Sequence, residues 1–290
     1  MILKQLSGLV ATLFFGVSFA YASPTKIAWG GNPKPLEAGT TVRLETEKVK
    51  LKVGPIWTSV ICAYELKNLG PACKVRVGFP DLRLDENKDP HPGGGDEDAH
   101  VSDLRSFQAF IDGNKCKSLL VGEEDVTGGD KMREIKVSFG RRQSHILVDQ
   151  YKIRTGMALT NDKIGIHEVG YAMHTGAGWK DSIKKVTVLV QFEDSLIPAP
   201  IHAISSRLLA TKQPTEYEDW GQVKFNTVYY HGFSKPAVDG MNALFVARNL
   251  KPTKRSDVYL FFRSRERARK SRTHKRIRHR QIVGAEDSEQ

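Results

Sequence analysis

The chain has 290 residues, 40% of them hydrophobic and 27% charged, with a formal net charge of +11. Ten Lys or Arg against one Glu fall between Arg263 and Gln281, a net of +9, so the charge belongs to a tail and the body does not read as a nucleic-acid-binding domain. Beyond the N-terminus no run approaches the roughly 20 apolar residues of a spanning helix. The three cysteines form no C-x-x-C, which leaves zinc-ribbon and thioredoxin-type chemistry without support.

The first 22 residues have the parts of a secretory signal. Lys4 supplies the positive start, Leu9 to Phe19 is apolar, and Ala20-Tyr21-Ala22 is a small-x-small cleavage site. The spacing predicts cleavage after Ala22 and a secreted or periplasmic destination. About 240 residues then remain before the tail, enough to bury roughly 70% of the unfolded surface without help from disulfides.

The body alternates at period two. Val42 and Leu44, then Val49, Leu51 and Val53, sit between Arg, Glu and Lys, and Val60, Cys62, Tyr64 and Leu66 form one face of the next run. Asn68-Leu69-Gly70-Pro71 reads as a turn, with Cys73, Val75, Val77 and Phe79 returning. Further runs lie at 107–111, 135–139, 146–153, 166–173, 186–192, 223–230, 243–247 and 258–262. No segment holds a 3.6-residue apolar period over three turns. Many short strands divided by Gly, Pro, Asn and Asp indicate sandwiches.

The expected architecture is all-β: two antiparallel, immunoglobulin-like β-sandwich units, at 23–154 and 155–262, followed by a disordered basic tail at 263–290. Cys62 and Cys73 fall on the inward phase of what reads as one hairpin, where cross-strand β-carbons lie about 4.5–5.5 Å apart. A Cys62–Cys73 disulfide is therefore expected, stabilising by roughly 2–3 kcal/mol, against the alternative of two buried free thiols. Cys116 is left without an assigned partner.

Three segments carry a family resemblance. Residues 41–81, with Asn68-Leu69-Gly70-Pro71 and Val77-Gly78-Phe79-Pro80, resemble the opening of a family of exported bacterial proteins without an assigned activity. Residues 151–192, with Thr155-Gly156, Tyr171, Thr175-Gly176, Trp179 and Ile183, are similar to its second signature. Asn249-Leu250-Lys251-Pro252-Thr253 is similar to its closing element. The resemblance implies an exported β-sandwich and no catalytic residues.

Between Asp81 and His100 the chain holds seven carboxylates, two His and Gly93-Gly94-Gly95. Hard cations take six to eight oxygen ligands from such loops, which makes Asp85, Asp89, Asp96 and Asp98 candidate calcium ligands. The spacing matches no EF-hand, and a solvated connection is the alternative. No G-x-S-x-G or H-E-x-x-H is present. His167 and Glu168 are adjacent on an expected strand and face opposite sides. His145, His167, His174, His202 and His231 are scattered singly. Trp29, Trp57, Trp179 and Trp220 read as core anchors in preference to a stacking platform.

In the tail, Arg265, Arg267, Arg269, Lys270, Arg272, Lys275, Arg276, Arg278 and Arg280 form a cationic stretch without an apolar face for membrane insertion. It reads as an arm for an anionic polymer or envelope surface, or as a solubilising tail. The function these features indicate is an exported, non-catalytic envelope or interaction protein. The alternatives are an extracellular polymer hydrolase and a calcium-dependent binding module.

Overall fold

The structure is a computed structural model that describes residues 29–80, 104–121, 132–159, 165–194, 196, 203–205 and 227–263. The signal-like segment, the four calcium-candidate aspartates and the basic tail after Arg263, which itself ends the last strand, lie outside the described residues.

Among the described residues, eighteen strands, numbered in chain order, form three sheets. The largest has eight strands in the order β16 (Ala237–Asp239), β17 (Asn242–Leu250), β13 (Ile183–Phe192), β3 (Val42–Val53), β4 (Trp57–Asn68), β10 (Ser144–Arg154), β6 (Arg105–Ile111) and β7 (Asn114–Cys116). A four-stranded sheet runs β2 (Lys34–Pro35), β5 (Cys73–Pro80), β9 (Met132–Phe139) and β8 (Leu119–Val121). The third runs β1 (Trp29–Gly31), β12 (Gly165–Ala172), β18 (Val258–Arg263), β15 (Thr227–His231) and β14 (Ala203–Ser205), with β11 (Gly156–Leu159) also on β12. The protein is thus all-β and sandwich-like.

Both smaller sheets pack on one face of the large one, and their side chains merge into one core. Phe79 of β5 meets Phe107 of β6 edge-on at 5.0 Å, and Phe192 of β13 meets Phe262 of β18 at 5.1 Å. Period-two alternation produces this directly: Thr58, Val60, Cys62, Tyr64, Leu66 and Asn68 of β4 are all buried, while the residues between them are not.

Two expectations are corrected. The division at Arg154/Thr155 does not separate two sandwiches, because β13 pairs in parallel with β3 from Lys185–Thr46 to Phe192–Val53. Parallel pairing also joins β1 to β12 and β14 to β15, so the sheets are mixed. Second, Cys62, Cys73 and Cys116 are free thiols. β4 and β5 flank the Asn68–Pro71 turn but enter different sheets. Cys62 lies between Val49 and Asp149, whereas Cys73 pairs with Phe139. A sandwich needs such crossings to build its second layer, and here the turn makes one.

Asn68 anchors that crossing. Its carbonyl accepts from the Thr41 hydroxyl at 2.7 Å and from the Gly70 N–H at 2.9 Å. Its amide donates to the Pro71 and Gly140 carbonyls at 2.5 and 3.0 Å. The start of β3, the β4–β5 link and the β9–β10 turn are held by this one buried side chain.

Candidate functional site

The core contains a polar cluster where the three sheets meet. A β-bulge at Glu45 puts it there. Leu44 pairs with Leu66 and Thr46 with Glu65, so Glu45 is the extra residue and the inward phase passes from even to odd positions. Glu47 therefore points into the core, 1% exposed, above Val49, Leu51 and Val53. On β10, Asp149 and Tyr151 take the same face, and Cys62 and Tyr64 come from β4 between them.

Across the interface, β12 contributes Tyr171, and the link between β1 and β2 contributes Asn32. Asn32 Nδ2 donates to Glu47 Oε2 at 3.0 Å, and the Tyr171 hydroxyl to Glu47 Oε1 at 3.2 Å. The Tyr64 and Tyr171 hydroxyls are 2.9 Å apart, and Cys62 Sγ is 3.5 Å from Tyr171. Neither Asp149 oxygen finds a partner at ordinary hydrogen-bond geometry. The Cys62 thiol and Tyr64 hydroxyl nonetheless lie near enough to favour its charged form in part.

Burial dominates the electrostatics of this cluster. It pushes Glu47 up to about 8 against the opposing hydrogen bonds from Asn32 and Tyr171. It pushes Asp149 up to about 8 as well. Both carboxyls carry protons over much of the neutral range, which is how charged residue types persist in an apolar interior. Burial also raises the Cys62 thiol well above its ordinary value, so it is no nucleophile. Glu45 is the contrast. Burial raises it too, but Lys184, at 2.7 Å, and Arg43 together hold it below the usual range.

The cluster is closed by backbone. Residues 29–35 belong to both smaller sheets, since β1 pairs with β12 and β2 with β5. A β-carbon on Gly30 would lie 2.3 Å from the Tyr151 hydroxyl oxygen, so only glycine lets the chain pass. Trp179 Nε1 donates to the Pro33 carbonyl at 2.7 Å and fixes the far end of the segment. Trp179 is buried, as expected of an anchor, whereas Trp57 is half-buried with the Arg105 guanidinium 4.3 Å above its ring.

The opposite face of the large sheet is open among the described residues. Its outward positions include exposed Ile61 and Ile146, each 46% exposed, and Val246 at 44%. Down its middle strand run exposed Lys48, Lys50 and Lys52. A separate open depression of about 350 Å³ is lined by Cys116, Lys117, Leu119, Glu134, Ile135 and Lys136.

Among the described residues the single histidines are not gathered into one site, and His202 lies outside those residues. His145 bonds Asp112 at 2.5 Å, His174 bonds Asp257 at 2.7 Å, His167 stacks on Phe262, and His231 tilts against Tyr259. Among the described residues no three His, Cys, Asp or Glu are placed to hold a metal ion, and no helix is long and apolar enough to cross a membrane. The sequence reading missed Glu47, Asp149 and Asn32. The signal for Glu47 was the phase change between Leu44 and Val49, and for Asp149 its place in the alternation of 147–153.

No protein-family model and no curated protein matches the chain. Among solved structures it is similar to a candidate nutrient binding protein of Legionella pneumophila, with a TM-score of 0.58 at 14% identity. That match covers 82% of this chain and 72% of the other. Weaker matches are leukotriene A4 hydrolase of Saccharomyces cerevisiae, TM-score 0.37 at 12% identity, and an M1 zinc metallopeptidase of Deinococcus radiodurans, 0.35 at 10%. They cover 76% and 77% of this chain but only 29% and 43% of those enzymes. The Legionella likeness is one of fold.

Proposed function

We propose that the chain is an exported, non-catalytic interaction protein whose large sheet meets another macromolecule through its open face. The observation that carries this reading is that face: Ile61, Ile146 and Val246 are exposed on it around a row of lysines, and nothing among the described residues covers it. A bare sheet face that combines exposed apolar side chains with a row of lysines suits contact with a partner. The signal-like first 22 residues and the family resemblance support export. The buried carboxyls of the core are shut off from solvent and serve the fold.

The test combines location with contact. The full chain is expressed in a bacterium, and its mature N-terminus and fraction are determined. Photo-cross-linkers are placed at Ile61 and Val246, and at Lys74 of β5 for comparison. Processing at Ser23 with cross-links specific to the two face positions is the expected result. Retention in the cytoplasm, or equal labelling from all three sites, refutes the reading.

Small-ligand binding is a second reading, favoured by the depression beside Cys116 and by the fold shared with the Legionella protein. A thermal-shift screen in which Glu134→Gln abolishes any ligand-induced shift would support it.

A further inference from the structure

We propose that the open face of the eight-stranded sheet is a binding track for a linear polyanion, centred on Lys48, Lys50 and Lys52. This rests on the reading that the face meets a macromolecule, and it names the chemistry of that partner.

Strand register lays out the track. Lys48, Lys50 and Lys52 share one face of β3, so their α-carbons step along it at about 6.7 Å. Their cross-strand neighbours are Thr187 and Ala63, Leu189 and Ile61, and Gln191 and Ser59. None of the six is acidic. Lys48 and Lys50 have no ion pair among the described residues, and Lys52 has only the edge of Glu193 at 3.8 Å. Three like charges on adjacent outward positions repel one another and give the fold nothing in return.

The row continues at both ends. Beyond Lys48, the next outward position of β3 is Thr46, which pairs with Lys185 of β13, itself opposite Arg248 of β17. Beyond Lys52, Ser59 pairs with Lys152, which lies opposite Arg105. Ser106, at φ 57°, sits in the bulge that turns Arg105 outward onto Trp57. Lys185, Arg248, Lys152 and Arg105 are exposed. Seven cations thus form one diagonal of about 30 Å, five strand spacings across and three two-residue steps along. Acidic side chains that reach the same face include Glu193 beside Lys52, half-buried Glu65, which accepts from Thr46, and Asp239 on the edge strand.

A diagonal line of charge suits a chain better than a plane. An eight-stranded sheet twists, so a flat lipid surface would touch only part of the line, whereas a flexible polymer can follow it. A polymer that neutralises the lysines releases its own counterions, which makes affinity fall steeply with salt.

The experiment uses the full chain, because the basic tail is then a constant background. Labelled long-chain polyphosphate is titrated at several salt concentrations into wild type, Lys48→Gln/Lys50→Gln/Lys52→Gln, and a control, Lys74→Gln/Lys251→Gln/Lys254→Gln, with equal charge removed elsewhere. Thermal unfolding confirms that all three fold. The expected loss is about fivefold per face lysine, or roughly 100-fold for the triple variant at low salt. Its log–log salt slope should be shallower by about 2, and the control close to wild type. Equal losses in both variants, or none in the face variant, overturn the track. Lysine-dependent binding to phosphatidylglycerol vesicles without lysine-dependent polyphosphate binding overturns it in favour of a membrane surface. Face-specific cross-links in cells without lysine-dependent polyphosphate binding overturn it and leave the interaction reading standing. Lysine-dependent polyphosphate binding without such cross-links supports the track and sets aside a protein partner at Ile61 and Val246.

Discussion

Replacing Asp149 with Asn keeps the shape of a buried side chain and removes the proton it can lose. In the folded chain burial pushes Asp149 up to about 8, from an ordinary value of 3.8. Between those two pH values the native state holds a proton that the unfolded chain has released, so stability falls as pH rises. The slope is about 1.4 kcal/mol per pH unit for one such group, or about 2–3 kcal/mol between pH 5 and pH 7. Glu47 adds a second contribution of the same sign between about 4.5 and 8. Asp112, Glu134 and Glu45 are held below their ordinary values, so their stabilisation is lost only as pH falls below about 4. They leave the window above pH 5 undisturbed. Urea unfolding at pH 5, 6, 7 and 8 should show wild type losing stability with rising pH, and Asp149→Asn losing about 1.4 kcal/mol less per unit. Relative to wild type, Asp149→Asn should therefore gain stability steadily up to about pH 8. Parallel curves for wild type, Asp149→Asn and Glu47→Gln would refute a protonated carboxyl pair in the core.

Other substitutions probe the scaffold around the cluster. Asn68→Ala removes four hydrogen bonds from three chain segments and should cost about 2–4 kcal/mol by urea unfolding; a loss under 1 kcal/mol would mean the crossing is held elsewhere. Gly30→Val drives a side chain into Tyr151 and should cost roughly 1–3 kcal/mol, relieved in part by Tyr151→Phe, which removes the atom it strikes. Without reductant, mass spectrometry after alkylation should find Cys62 unmodified in the native protein and all three cysteines modified after denaturation. A bridged peptide would contradict the free thiols.

Much of the fold was legible because alternation is local. The strands from Val42 to Phe79 and from Ile135 to Ile153 follow from which side chains repeat every second residue. Partnership is not local. Asn68-Leu69-Gly70-Pro71 has the composition of a hairpin turn, and nothing in it tells whether the next strand folds back on β4 or crosses to another sheet. The free cysteines follow from that ambiguity. The pairing of β3 with β13, which joins the two expected units, depends on residues some 140 positions apart. Glu47 and Asp149 were hidden for another reason: a carboxylate in an alternating strand is ordinarily assigned to solvent, and a one-residue bulge reverses the assignment. The lysine row was visible as residues, but its meaning required knowing that β3 is central and that one face of its sheet is bare.

The central position of β3 also sets the order in which the chain can fold. Its parallel partner, β13, starts at Ile183, so a chain of which only the first 180 residues are available can zip β3 to β4 and must leave the other edge of β3 unpaired. Such an edge invites pairing with other chains, and lysines along it are a known deterrent. Lys48, Lys50 and Lys52 stand beside that temporary edge. Whatever they bind in the finished molecule, they would also keep incomplete chains apart until the far half arrives. Contacts this distant make folding slow. The interval over which such protection matters is correspondingly long.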